Sequence, residues 1–438
     1  MKIPHKSIIY GTVVLTGVSF LCRGIGFFYR TFISQTFGEE GMGIYQLTAP
    51  VMSMAFSLCC AGFQTSISRY VAAKSEDENT SLRFLFCGLA ITTMVSSVLS
   101  VGIYTLSDFL SANILLEPRT APLLRLLALA FPFSAIHCCV NGYFYGKKKA
   151  GIPALLQLTE QLARVGSVYL LCQFYIMHNY EIPLALTAAG SAIAEVVSTI
   201  VSLCFILPKL NRLQTGPVKE TTIYNTATSL LSMALPLSIS RIIVNLLQNI
   251  ENIYIPEMLR RFGCTTAESL SLFGVLTGMT LTVILLPSAL VNSVSVLLLP
   301  RISEAQASGR NHTIAHVIRR SVTFCCIMGL FFATFFFLSG KWIGNFLFHS
   351  ATAGEFIVKL SFICPFLYIT SSLGSILHGL GKTYTTLFIN VGTLLIRIAS
   401  VFLLIPQMGL SGYIFGLLAG QCFSAVCCIF SLHKYTKY

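Results

Sequence analysis

Long apolar segments recur along the whole chain, and they constrain its fold more than any other feature. Of its 438 residues, 55% are hydrophobic and only 10% are charged, whereas soluble domains carry about 25% charged residues. Most of the segments reach about 20 residues, the length that an α-helix needs to cross a bilayer. The sequence therefore predicts an all-α polytopic membrane protein with about twelve spans. They lie near residues 8–36, 44–71, 83–107, 120–146, 150–177, 182–207, 223–250, 271–299, 314–338, 356–380, 384–406 and 409–432.

Lysine and arginine are distributed unevenly over the loops between these spans. With the N-terminus inside, the inner loops and termini carry eighteen of them and the outer loops carry four. Because positive residues accumulate on the cytoplasmic side, both termini are expected in the cytoplasm. We therefore attribute the net charge of +13 to membrane topology and to contact with anionic lipids, and not to nucleic-acid binding.

The two halves of the chain resemble each other in the order of their features. An arginine and a mixed-charge segment end both span 2, "SISRYVAAKSEDE" (66–78), and span 8, "LLLPRISEAQASG" (297–309). A Gly-Lys turn ends both span 4 and span 10. This pattern predicts two six-helix lobes in parallel orientation, as in alternating-access transporters. The expected boundaries are 1–210 for the first lobe, 211–222 for a cytoplasmic linker and 223–438 for the second lobe.

Positive charge inside the spans is the main indication of function. Span 1 carries Arg23 and Arg30, and span 7 carries a polar stripe that includes Arg241, Asn245 and Gln248. Buried arginines suit a phosphate or pyrophosphate headgroup, because guanidinium stays charged and offers a planar fork of donors. Arg30 has an alternative interpretation, since a side chain near the outer end of a span can extend to the interface.

Few carboxylates accompany these arginines. Glu160 and Arg164 lie four residues apart on one helical face, which predicts a structural ion pair. Glu195 and Glu251 are candidates for binding a coupling ion or for gating, and a hydrogen bond to a neighbouring helix explains Glu195 equally well.

Sequence motifs for catalysis are scarce. The chain has no G-x-x-x-x-G-K-[ST], no H-E-x-x-H and no acidic cluster of the kind that binds Mg²⁺. The fifteen cysteines lie mostly in apolar segments, often as adjacent pairs, without the spacing of a zinc site. We therefore expect a protein that is not an enzyme and binds neither a metal nor a cofactor.

Several segments resemble the stage V sporulation protein B family. They are "GFFYRTFISQTFGEEGMGIYQL" (26–47), "GYFYGKKKAGIPALLQL" (142–158), "EQLARV" (160–165) and "LFGVLTGMTLTVILLPSALVNSVSVLLLPRISEA" (272–305). That family belongs to the polysaccharide-flippase branch of the multidrug/oligosaccharidyl-lipid/polysaccharide exporter superfamily. The resemblance implies two V-arranged lobes in a bacterial cytoplasmic membrane. It also implies a substrate made of a saccharide linked to undecaprenyl pyrophosphate, such as lipid II or a spore-cortex precursor, which is moved to the outer leaflet.

The resemblance also suggests roles for particular residues. In the related lipid II flippases, arginines of the first lobe and of span 8 are held to engage the pyrophosphate. Arg23 matches the span 1 position in kind. Arg69 and Arg301, at the cytoplasmic ends of spans 2 and 8, match the pattern of the family less well because they lie at the membrane edge. Either the membrane potential or a coupled monovalent cation would then supply the energy, and the cell-wall synthesis machinery becomes a candidate partner.

Two other functions remain open at this point. A drug/cation antiporter of the same superfamily would need carboxylates deep in the lobes, where this chain has more arginines. A membrane scaffold for spore-wall assembly would transport nothing and would not need buried charge on duplicated lobes.

Overall fold

The computed structural model describes residues 5–74, 77–210, 220–291 and 311–436, together with Ile302, Gln306 and Ser308. Nearly all of these residues are helical and none of them lies in a β-strand, which confirms the all-helical fold class. The α-helices with defined bounds are α1 (His5–Leu47), α2 (Ala49–Phe56), α3 (Gly62–Ala73), α4 (Glu78–Thr105), α5 (Ser107–Phe109), α6 (Ala121–Ala128), α7 (Phe131–Gly146), α8 (Gly151–Met177), α9 (Ala185–Leu210), α10 (Glu220–Phe262), α11 (Thr266–Gly274), α12 (Leu281–Leu285), α13 (Asn311–Phe348), α14 (Ala351–Leu360), α15 (Cys364–Gly379), α16 (Thr383–Leu403), α17 (Ile405–Met408) and α18 (Leu410–Thr436).

Nine helices of the described residues are long and apolar enough to cross a membrane, and the bent pair α6–α7 makes a tenth. The twelve predicted spans all fall on helices as far as they are described, residues 292–299 of span 8 lying outside the described part. The two counts differ for two reasons. The stretch Thr16–Ala73 counts once although it contains spans 1 and 2, and α8 is not counted because Glu160, Arg164 and its glutamines lower its hydropathy. The chain is a multi-pass membrane protein.

Local sequence explains where several of these helices begin. The side chain of Asp77 accepts a hydrogen bond from the backbone N–H of Thr80 and caps α4. Thr265 and Glu268 form a reciprocal capping box at α11, and Ser350 caps α14. Each cap satisfies backbone donors that the first helical turn leaves free, which stabilises the helix by about 1 kcal/mol.

Proline breaks the fourth span of each half at matching positions. Pro132 lies in the first turn of α7, after a 50° bend from α6. Pro365 lies in the first turn of α15, after the 3₁₀ turn Ser361–Ile363 that follows α14. The two prolines are 233 residues apart, the same interval that separates Arg164 from Arg397. The structure thus adds a shared helix break to the sequence features that indicate an internal duplication.

The described residues cluster into two compact units that are not continuous in sequence. The first unit contains the chain up to Tyr29 and residues 47–246, and the second contains residues 30–46 and the chain from Leu247 onwards. Residues 30–46 were expected in the first lobe and belong to the second unit. Residues 223–246 were expected in the second lobe and belong to the first unit. This exchange arises because α1 and α10 each contribute to both units.

An ionic cluster joins the ends of three helices in the first unit. The Glu78 carboxylate, at the start of α4, accepts a hydrogen bond from the Tyr143 hydroxyl at 2.6 Å and pairs with Lys147 at 2.8 Å and with Lys209 at 3.2 Å. Lys209 also lies over the ring of Tyr143. In the basic run "GKKK", Lys147 therefore connects the end of α7 to the start of α4, whereas Lys148 is exposed.

Close helix packing fixes the second half of α1 in the second unit. Gly38 has a positive φ of 70°, a conformation that glycine adopts readily, and it kinks α1. Beyond the kink, Gly43 approaches α11 so closely that a Cβ atom there would overlap the backbone carbonyl of Leu270. A Cβ on Gly274 would likewise overlap the carbonyl of Glu39. Helices α1 and α11 therefore contact each other at glycine residues, where no side chain separates the two backbones.

We expect Gly43→Ala to lower the free energy of unfolding by about 1–3 kcal/mol, because a methyl group would force two backbones apart. Gly24→Ala is the matched control, since a Cβ at Gly24 meets nothing within 4 Å. In that helix interior alanine is favoured over glycine by up to about 1 kcal/mol. Thermal unfolding in detergent compares the two variants, and equal melting temperatures would contradict this packing.

Candidate functional site

Three of the predicted headgroup residues are exposed arginines of the first unit. They are Arg23 on α1, Arg69 on α3 and Arg241 on α10. None of them makes a hydrogen bond or an ion pair with another described residue. A membrane helix does not leave an arginine uncompensated in hydrocarbon, so these guanidinium groups require water or an anion.

The first part of α10 packs antiparallel to α2 and α3 in this unit. Near one end, Asn245 Nδ2 donates to Ser57 Oγ at 2.5 Å, and near the other, the Tyr70 hydroxyl donates to the Ser229 carbonyl at 3.0 Å. With 1.5 Å of rise per residue, Arg241 and Arg69 are separated by about 15 Å along this helix pair. The two arginines therefore do not lie side by side on this helix pair.

The other predicted headgroup residues do not join this set. Arg30 belongs to the second unit, where its Nη1 donates to Thr282 Oγ1 at 2.7 Å. The side chain of Asn245 donates to the Ser53 carbonyl on α2 and to Ser57 Oγ in the π-helical turn Ser57–Ala61 that follows α2. Gln248 is exposed in the second unit, and Arg301 lies outside the described residues.

A buried ion pair stabilises the second unit. Glu251 on α10 is 0% exposed, and its Oε1 accepts hydrogen bonds from Arg397 Nε at 2.8 Å and from the Tyr413 hydroxyl at 2.5 Å. Arg397 lies on α16 and Tyr413 on α18, so the contact connects three helices. Arg397 already supplies the positive charge that a coupling ion would bring, and a coupling role for Glu251 stays a prediction.

A second polar cluster lies among three membrane helices of the first unit. On α8, Arg164 donates to the carboxylate of Glu160. Glu195 Oε2 on α9 lies 3.7 Å from His137 Nδ1 on α7, and His137 Nε2 lies 2.7 Å from Asn141 Nδ2. Glu160 is within electrostatic range of Glu195 and of His137. We call these five residues the unit 1 cluster.

Sequence reasoning paired Glu160 with Arg164 but missed the rest of the unit 1 cluster. His137 and Asn141 lie four residues apart on one span, which indicates a shared helical face. That spacing was available from the sequence. Their proximity to Glu195, which lies 58 residues beyond His137, could not be predicted from the sequence, because it depends on how α7 packs against α9.

These observations define a helical membrane protein with duplicated halves, arginines on its spans and a cluster of charged side chains between helices in each unit. The chain belongs to the family described as "Polysaccharide biosynthesis protein", whose model matches residues 8–306. This match confirms the family resemblance predicted from the sequence.

Named relatives extend the comparison over most of the chain. Stage V sporulation protein B of Bacillus subtilis (strain 168) is 25% identical over 426 residues, which cover 95% of this chain and 82% of that protein. Lipid II flippase MurJ of the same organism is 22% identical over 338 residues, which cover 72% of this chain and 61% of that protein.

A solved structure shows the same fold. It is the inward-facing conformation of a multidrug resistance MATE family transporter of the MOP superfamily. The TM-score is 0.74 at 14% identity, and the match covers 97% of this chain and 98% of that one. The predicted superfamily fold is confirmed, and at this identity the likeness concerns the fold alone.

Proposed function

We propose that this protein moves a saccharide linked to polyprenyl pyrophosphate from the inner to the outer leaflet of a bacterial cytoplasmic membrane by alternating access. The observation that carries the proposal is the set of three exposed arginines in the first unit, each without a partner among the described residues. In this proposal both termini lie in the cytoplasm, and the protein catalyses no covalent step.

The physical problem of such a substrate is its diphosphate. Moving an isolated ion into hydrocarbon costs on the order of tens of kcal/mol, and the lipid tail offsets none of this cost because it stays in the membrane on both sides. Guanidinium groups bind phosphate oxygens through charge-assisted hydrogen bonds, which contribute about 1.5–3 kcal/mol each. Arg23, Arg69 and Arg241 therefore replace part of the lost hydration and carry the headgroup along a polar path.

The relatives support a lipid-linked saccharide as the substrate class. The family is described by polysaccharide biosynthesis, and one of the named relatives is a lipid II flippase. Because one relative is a sporulation protein, the proposal includes assembly of the spore envelope as a process that this protein serves. Lipid II and a wall-polysaccharide precursor both fit this class, and enzymes of cell-wall synthesis are the expected partners downstream.

Release of the headgroup requires a force that opposes the arginines. A membrane potential that is negative inside favours outward movement of an anion by about 2.3 kcal/mol per charge per 100 mV. That magnitude is comparable to one arginine–phosphate hydrogen bond. In this proposal the potential or a coupled monovalent cation opposes binding by the arginines and drives release without nucleotide hydrolysis.

Binding by the purified protein tests this proposal. Native mass spectrometry would compare undecaprenyl pyrophosphate with undecaprenyl phosphate on the wild type and on a triple variant, Arg23→Gln, Arg69→Gln and Arg241→Gln. We expect the triple variant to bind the pyrophosphate at least tenfold more weakly, because it loses several charge-assisted hydrogen bonds.

The control is Arg125→Gln. Arg125 is already occupied, since it donates to Asp108 at 2.6 Å and to Ser107 at 2.9 Å, so the change should leave lipid binding unaltered. Equal binding by the wild type and the triple variant would refute the headgroup role of these arginines. A wild type that binds neither lipid would refute the substrate class.

A further inference from the structure

A groove on the surface of the second unit is apolar along most of its length and carries a charge at one end. It has a volume of about 310 Å³ and lies between α18 and the segment formed by α14 and the 3₁₀ turn that follows it. Six of its eight lining residues are apolar, and the two polar ones are Lys359 and Ser411. Phe362 and Phe415 on its rims are 57% and 56% exposed. Because exposed apolar side chains on membrane spans face hydrocarbon, the groove opens towards lipid.

The two polar residues lie at the same end of the groove. Lys382, which comes soon after α15, donates to the Ser431 carbonyl near the end of α18 at 3.4 Å. The segment from α14 to α15 and helix α18 therefore run parallel, and both begin at one end of the unit. Lys359 lies in the first part of that segment and Ser411 is the second residue of α18. Leu418 lies about 10 Å further along α18, so the groove is polar at one end and apolar towards the middle of the span.

Positive charge is in excess at the polar end. Lys359 and Glu355 lie one helical turn apart and are both exposed, a spacing that usually favours an ion pair, yet neither forms one with any residue in the described ranges. The ammonium group of Lys359 lies 5.8 Å from the ring centre of Phe356. Lys341 of α13 is also exposed and lies beside this end of α14, because a Cβ on Gly354 would come within 2.9 Å of the Lys341 Cα. Two lysines and one glutamate leave one positive charge uncompensated.

A groove with this charge and this polarity is complementary to an anionic phospholipid. A lysine on a lipid-facing surface is stable when its ammonium group reaches the polar edge of the membrane, where lipid phosphates lie. An acyl chain that descends from the phosphate would contact Phe362, Phe415 and Leu418. A zwitterionic headgroup would leave the excess positive charge uncompensated, whereas a headgroup of net charge minus one balances it, and lysines near the membrane surface attract anionic lipids.

We infer that this groove binds one acyl chain of an anionic phospholipid, such as phosphatidylglycerol, whose phosphate lies between Lys341 and Lys359. The bound lipid connects α13, α14 and α18. It stays on the surface of the protein and is not transported. The inference does not rest on the proposed function, because the groove belongs to the second unit and the three arginines proposed to bind the transported headgroup belong to the first.

Photo-cross-linking in lipid nanodiscs tests this inference. Nanodiscs of phosphatidylcholine would contain a small fraction of a probe lipid with a diazirine on one acyl chain, either phosphatidylglycerol or phosphatidylcholine, and peptide mass spectrometry would measure the labelling of residues 410–418. We expect at least threefold more labelling there by the phosphatidylglycerol probe. The exposed apolar face of α4 is the internal control, which both probes should label equally, because residues 84–105 contain no charged side chain. That face includes Met94, Val98 and Val101.

Three variants separate the charge from the shape of the groove. Lys359→Gln should abolish the preference for phosphatidylglycerol, and Lys359→Arg, which keeps the charge, should retain it. Leu418→Trp fills the groove and leaves both lysines in place, and it should also abolish the preference. Equal labelling of residues 410–418 by both probes in the wild type would overturn the inference. A preference that survives in Lys359→Gln, or in Leu418→Trp, would overturn it as well, because the lysine or the groove would then have no part in binding.

A competition experiment separates this lipid from the transported one. Added undecaprenyl pyrophosphate should leave the labelling of residues 410–418 by the phosphatidylglycerol probe unchanged. Displacement of the probe would assign the groove to the tail of the transported lipid, which would overturn the inference and leave the proposed function standing. Labelling that depends on Lys359, together with a failure of the protein to bind undecaprenyl pyrophosphate, would retain the phospholipid site and reject the proposed substrate.

Discussion

Replacing Glu251 with leucine is expected to lower the free energy of unfolding by about 3–5 kcal/mol. The carboxylate is fully buried and binds Arg397 at 2.8 Å and Tyr413 at 2.5 Å. Its removal leaves a buried guanidinium without a counter-charge in the second unit. Thermal unfolding in detergent measures the effect with a thiol-reactive dye, since many of the fifteen cysteines are buried and react only when the protein unfolds.

The double variant Glu251→Leu with Arg397→Met is the control that isolates the charge. Because it removes both partners and keeps the apolar volume, we expect it to recover most of the lost stability. Tyr413→Phe removes the hydrogen bond that the hydroxyl donates to Glu251 and the one it accepts from Arg397. It should cost less than Glu251→Leu, about 1–3 kcal/mol, because the ion pair itself remains. A double variant as unstable as Glu251→Leu alone would mean that side-chain shape, and not charge pairing, holds these three helices together.

The triple arginine variant is expected to lose transport activity in cells. In bacteria depleted of their own lipid II flippase, we expect wild-type protein to restore lipid II in the outer leaflet. At matched expression, the change of Arg23, Arg69 and Arg241 to glutamine should reduce that amount at least tenfold. The reason is the loss of about 1.5–3 kcal/mol for each charge-assisted hydrogen bond to the pyrophosphate.

The matched change is Arg125→Gln, which removes a positive charge that already has a partner in Asp108. We expect it to support wild-type amounts of outer-leaflet lipid II. If the triple variant did so as well, the exposed arginines would have no role in moving the headgroup. A membrane scaffold would give that result.

Much of the fold follows from properties that are local in sequence. Apolar length predicted the helical spans, and the repeated features predicted the duplication, to which Pro132 and Pro365 add a matching helix break. The exchange of residues 30–46 and 223–246 between the units was not predictable in this way. It depends on close contacts such as that of Gly43 with Leu270, which join distant parts of the chain.

The candidate sites show the same division between local and distant information. The spacing of Glu160 and Arg164 predicted an ion pair because both residues lie on one helix. Glu251 was a candidate coupling or gating residue, but its partner Arg397 is 146 residues away and nothing in the sequence pairs the two. The sequence did not single out His137, because a lone histidine on an apolar helix becomes a candidate site residue only when a carboxylate of a neighbouring helix lies close to it.

The most direct measurement of the central claim is movement of the substrate class itself in a purified system. The protein would be reconstituted into liposomes with an imposed potassium diffusion potential and with undecaprenyl pyrophosphate that carries one radiolabelled sugar. An impermeant pyrophosphatase outside the liposomes, which hydrolyses the P–O–P bond and releases the labelled sugar phosphate, would then report the fraction in the outer leaflet. The account predicts faster appearance of this lipid than in empty liposomes, and no acceleration for a labelled phosphatidylcholine. Equal rates with and without protein, or equal acceleration of both lipids, would contradict it.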